Sequence, residues 1–198
     1  MKAPRYTKRV LTFADQNLQE PEVAVRQSFT GQVNNQLWGL WQGVFGLAAN
    51  QLIAVSVHSD QEDGWEPPNG CKVEEQWVLQ ATARPQSTTP IQRSGVYVFR
   101  DFWLPYEHLE EAVSLSSAAW QTFEGADAFT AEPIGLFAPA QSLPASQECL
   151  LHLLTWYPDF TSWETSRQSD PGAMQRFVAR RELTRTTRAV ATRLLPSV

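Results

Sequence analysis

Sulfur, histidine and clustered positive charge are scarce in this chain, and each shortage removes a class of function. Only Cys71 and Cys149 are present among 198 residues. No CxxC or CxxH spacing occurs, so neither a disulfide framework nor a zinc module is expected. The three histidines, His58, His108 and His152, are scattered and form no i,i+4 pair, so no metal site is expected. Sixteen Lys and Arg face 21 Asp and Glu, for a net charge of −5. That balance argues against a nucleic-acid partner. No stretch approaches the roughly 18 apolar residues of a membrane span, and the first thirty residues hold no apolar leader segment. A reduced, cytoplasmic protein is the expectation. Serine-nucleophile elbows, phosphate loops and dinucleotide fingerprints are absent from the sequence.

Aromatic residues, by contrast, are plentiful: eight Trp, ten Phe and four Tyr. They supply packing, and a surplus can line an apolar pocket. Arginine is concentrated in one place, with six between Arg176 and Arg193 against a single Glu. Solvated helix and strand faces account for such a cluster, with an anion site as the alternative.

The second half has the clearer element signals. Val96–Leu104 is β-branched and aromatic and reads as a strand. Pro105 suits the first turn of a helix, with Leu109, Ala112, Val113, Ser116, Trp120 and Phe123 at helical spacing and Gly125 as its stop. Ile134–Ala138 and Cys149–Tyr157 read as strands, the latter apolar enough for burial on both faces. Thr161–Glu164 fits a capping box and Asp170-Pro171 a second helix start. Thr184–Leu195 is the closing strand. In the first half, Arg9–Phe13 is a strand, and Pro21 opens a helix carrying Val25, Phe29, Val33 and Leu37. Strands follow at Leu40–Leu47, Leu52–His58 and Val73–Ala83, with a polar loop over 61–70.

Both halves thus run β-α-β-β-x-β, where x is a helix in the second and a loop in the first. The expected class is α+β: two ferredoxin-like repeats with helices on the outer faces. The first spans 1–85, a linker 86–94, and the second 95–198. Two sheets that each keep one bare apolar face would bury them against each other, forming an intrachain dimeric-type α/β barrel.

Residues Tyr97–Phe102, His152–Tyr157 with Arg167, Asp170-Pro171 with Gln175–Phe177, and Leu194-Leu195-Pro196 are similar, in order and type, to motifs of the NIPSNAP family. The resemblance covers about residues 95–196. It implies the dimeric α/β-barrel superfamily, which includes cofactor-free monooxygenases, isomerases, cyclases and haem proteins. No cofactor is expected, with haem an open alternative because one His suffices as an axial ligand.

On the Val96–Leu104 strand, Arg100 and Asp101 fall on opposite faces, so one of them must meet apolar surroundings. Arg100 is a candidate to orient an anionic group, as a planar fork; a structural ion pair is its alternative. His58, His152 and Tyr157 are candidates for moving a proton. Tyr97 and Trp156 are candidates to line the ligand site. The reading is a protein that binds a small apolar or aromatic molecule in its barrel, with cofactor-free oxygenase- or isomerase-type chemistry. The alternative is a scaffold with a packed interior. Homodimerisation is the further partner expectation.

Overall fold

Runs of β-branched and aromatic residues bounded by turn residues place the strands, and the helices follow where apolar residues recur at three-to-four spacing. The computed structural model describes residues 3–59, 63–124, 130–167 and 171–196. The chain runs β1 (Arg5–Thr12), α1 (Gln19–Ser28), β2 (Asn35–Phe45), β3 (Gln51–His58), β4 (Lys72–Arg84) and β5 (Val96–Pro105). After a single 3-10 turn it continues through α2 (Leu109–Glu124), β6 (Glu132–Pro139), β7 (Glu148–Tyr157), α3 (Phe160–Thr165), α4 (Pro171–Leu183) and β8 (Thr186–Leu194).

The chain forms two compact units. The first comprises Met1–Gln80, Ser87–Ser94 and Val190–Val198. Its strands lie in the order β8–β2–β3–β1–β4, and each of these pairings is antiparallel. Helix α1 and the loop carrying Trp65 cover one face, over Leu11, Phe13, Leu40, Leu52 and Ala54. The second unit comprises Ala81–Gln86 and Gly95–Ala189. Its strands lie in the order β8–β5–β7–β6–β4, with β7 antiparallel to both neighbours. Here α2 covers Phe102, Leu104, Leu136, Leu151 and Leu153 through Leu109, Ala112 and Trp120. Each Leu or Phe side chain among these, fully buried, contributes roughly 1.5–3 kcal/mol.

Several expectations are corrected. The first helix ends at Ser28, so Val33 and Leu37 are not part of its stripe; Val33 is fully exposed and Leu37 lies in β2. Gly31, with φ +78°, is where the chain turns out of the helix. Strand β2 therefore begins five residues before Leu40. Pro105 ends β5 rather than opening a helix. Helix α3 is capped by Asp159, whose carboxylate accepts from the Ser162 N–H, and not by a box begun at Thr161. Gly125, Asp170, the Phe123 side chain and the start of the 61–70 loop lie outside the described residues.

Candidate active site

Register decides what each residue of β5 can reach. Arg100 stands opposite Leu153, and Asp101 opposite His152. Residues directly opposite share a face. Arg100 thus joins Phe102, Leu153, Thr155 and Tyr157 beneath the helices, while Asp101 joins His152 on the other face.

The helix-side face opens into a cavity of about 400 Å³, and the described residues that line it all belong to the second unit. Leu153, Phe102, Trp120 and Phe177 form much of its apolar wall. Its polar side starts at Arg100, whose guanidinium donates to Thr155 Oγ1 at 3.4 Å and to the Tyr157 hydroxyl at 3.3 Å. Arg180 enters from α4. Its guanidinium lies 4.2 Å from the Phe102 ring centre and 5.2 Å from that of Phe177, and donates to Ser116 Oγ at 3.1 Å. Arg180 is buried, and its Nε–H has no hydrogen-bond partner. Burial, with the nearby Arg100 charge adding, pushes its pKa down to about 10. Arg167 and Arg181 also line the cavity, and among the described residues no Asp, Glu or His lines it.

The opposite face holds a separate polar group. His152 Nδ1 donates to Asp101 Oδ1, and Arg188 donates to Oδ2 from Nη2 at 2.8 Å and from Nε at 3.2 Å. The His152 ring lies between Phe99 and Phe137, at centroid distances of 5.4 and 6.1 Å. Tyr97 and Trp156 are buried on this face too. Of the six residues singled out from the sequence, Arg100 and Tyr157 therefore come together at the cavity. Tyr97, His152 and Trp156 point away from it.

His58 belongs to the first unit, where it is buried and shares a hydrogen bond with Thr7 Oγ1 at 2.9 Å. Its setting has the same ladder geometry as Tyr157. The pairs Arg5↔His58, Thr7↔Ser56, Arg9↔Ala54 and Leu11↔Leu52 correspond to Val96↔Tyr157, Val98↔Thr155, Arg100↔Leu153 and Phe102↔Leu151. Arg9 is thereby the counterpart of Arg100, and Ser56 that of Thr155. Arg9 donates to Ser56 Oγ at 3.1 Å and to Gln76 Oε1 at 3.0 Å, and it forms an ion pair with Asp63. The Trp65 indole lies 4.5 Å from the Arg9 guanidinium and stacks on Phe29.

Sequence reasoning missed Arg180, Thr155 and the Arg9–Asp63 pair. The arginine-rich stretch 176–193 was the available signal for Arg180, since an anion site was one of its two readings.

No protein-family model matches the chain, and no curated protein matches it in sequence. Solved structures do match. An anthrone oxidase-like protein is 12% identical, with 96% of this chain and 91% of that one covered and a TM-score of 0.67. A protein from Fusobacterium nucleatum assigned as a monooxygenase is 9% identical, with 98% and 94% covered and a TM-score of 0.57. A haem-binding protein from Thermus thermophilus is 10% identical, with 98% and 92% covered and a TM-score of 0.52. These likenesses give the fold alone, an α+β fold of the dimeric α/β-barrel type. A histidine-ligated haem does not fit the cavity. None of the three histidines lines it: His58 and His152 are engaged by Thr7 and Asp101, and His108 lies in the turn before α2.

Proposed function

We propose that this chain is a small-molecule-binding protein whose ligand, small and mainly apolar or aromatic, occupies the cavity beneath the helices of the second unit. The observation that carries this is a cavity of about 400 Å³ with apolar walls and polar groups converging at Arg100. Ligand sites of this size, mostly apolar with a few placed polar groups, are the usual form of a binding pocket. This site lies on the helix-covered face of the sheet and not in the barrel, where the sequence led us to expect the ligand.

Within this proposal, Tyr157 is the residue that moves a proton. Its hydroxyl meets the cavity and accepts from Arg100. The chemistry that follows is of the oxygenase or isomerase type, in which a proton is taken from a substrate carbon or hydroxyl. Structural likeness to an anthrone oxidase-like protein and a monooxygenase supports this reading. His58 and His152 take no part in it. Kinship with NIPSNAP proteins over residues 95–196, origin of the halves by duplication, a cytoplasmic setting and homodimerisation belong to the same proposal. They rest on the motif order, the matched ladders, the two unpaired cysteines and the habit of the superfamily.

Native mass spectrometry of the purified full-length chain tests the binding claim. The expected result is a co-purifying small molecule that is lost when Val178→Trp fills the cavity from α4. Retention of the adduct in a folded Val178→Trp protein would place the ligand elsewhere.

A further inference from the structure

The two units hold the same ladder position in two different states, and the comparison identifies a ligand class. In the first unit the Arg9 guanidinium is engaged from within the chain. Asp63 supplies a carboxylate, and two residues on Trp65 supplies an aromatic ring that faces the same guanidinium and stacks on Phe29 at 5.4 Å with a 13° tilt. The loop that carries them stands where the second unit has its helices α3 and α4. The position is thus filled by a carboxylate joined to an aromatic group, both belonging to the chain itself.

The second unit repeats the receptor half of this arrangement without the filling. Arg100 keeps the hydroxyl partner, Thr155 for Ser56. Among the described residues neither Arg100 nor Arg180 has a carboxylate partner, and no acidic side chain lines the cavity. Arg180 is buried with an unpartnered Nε–H. A buried cation without a counter-ion is costly, so an anion entering this space gains the full strength of two charge-assisted contacts. The Phe102 and Phe177 rings stand against Arg180 and offer a stacking surface.

We propose that the cavity of the second unit takes an aromatic carboxylate, its carboxylate held between Arg100 and Arg180 and its ring against Phe102 and Phe177. Asp63 and Trp65 are the intramolecular equivalent of that ligand in the first unit. The inference rests on the cavity being the ligand site, and it adds the charge and chemical class of the ligand.

Calorimetric titration of the full-length protein with 2-naphthoate and with its uncharged analogue 2-naphthamide tests it. The expected result is binding of the acid at least about 10-fold tighter than the amide, the size of effect that one charge-assisted contact supplies. Arg100→Gln and Arg180→Met should each remove about that factor for the acid and leave the amide unchanged. Arg9→Met should change neither. Equal binding of acid and amide, unaffected by the arginine variants but abolished by Val178→Trp, would overturn the carboxylate inference and leave the cavity as the ligand site. Binding of either compound that survives Val178→Trp in a folded protein would overturn both. Should Arg180→Met fail to fold, Arg100→Gln alone decides the charge question, since Arg100 is only partly buried.

Discussion

Arg180 is the residue whose position is most costly and most informative. Its charge is buried against two phenyl rings, beside a second arginine, with no acid to balance it among the described residues. Its pKa is pushed down to about 10, well below that of the same group in an unfolded chain. Between those values the unfolded state binds more protons, so the native state gains stability as pH rises through the window; below it the burial penalty is present in full. Arg180→Met should therefore be more stable than the parent at pH 8, by about 1 kcal/mol. The gap should narrow at pH 11. Urea midpoints of the two proteins at both pH values check this, and a constant gap would mean that Arg180 is better solvated than its surroundings imply. A bound carboxylate would offset the same penalty, which ties the stability of this residue to the proposed ligand. Asp101 presents the opposite case. Its carboxylate is buried but met from two sides by His152 and Arg188, so it reads as a structural ion pair.

Among the elements, the loop of the first unit is the one that departs from the repeat. A helix normally covers the sheet at this point, as α3 and α4 do in the second unit. Here Trp65 performs the covering, with its indole N–H on Ser28 Oγ at 2.8 Å and its ring on Phe29. One large side chain thus replaces several turns of apolar stripe. Trp65→Ala should lower stability by about 3–5 kcal/mol, because the ring cannot be replaced by collapse of a polar loop. Chemical denaturation measures this; a loss below about 1 kcal/mol would show that the loop is not part of the core. The loop itself was legible in the sequence from its Pro, Gly and polar content. Its role in burying Arg9 was not, because a single Trp in a polar segment carries no periodicity.

At the scale of the whole molecule, the two units do not follow simple halves of the sequence. Strand β4 gives Lys72–Gln80 to the first unit and Ala81–Arg84 to the second, and β8 is divided between Ala189 and Val190. A fragment of residues 95–198 therefore lacks Thr82 and Arg84, which donate to the Leu136 and Pro133 carbonyls at 2.9 and 3.0 Å. Its β6 would be an unpaired edge with apolar neighbours, prone to association. The fragment should be aggregated or poorly folded by circular dichroism and gel filtration, while the full chain unfolds in one cooperative urea transition. A soluble, folded fragment would show that the second unit is self-sufficient.

The sequence by itself determined the order of elements and the fold class, because those depend on local patterns: β-branched and aromatic runs in the strands, three-to-four spacing in α2, and turn residues between them. It also determined that Arg100 and Asp101 lie on opposite faces, since successive side chains of a strand must. Which face meets the helices was decided only in the tertiary structure. β5 and β7 are apolar on both faces, so no contrast in polarity along the strand distinguishes one side from the other. The same is true of the cavity. Arg180 and Arg100 are eighty residues apart and meet only when α4 packs over β5, a contact to which neither segment's own pattern refers.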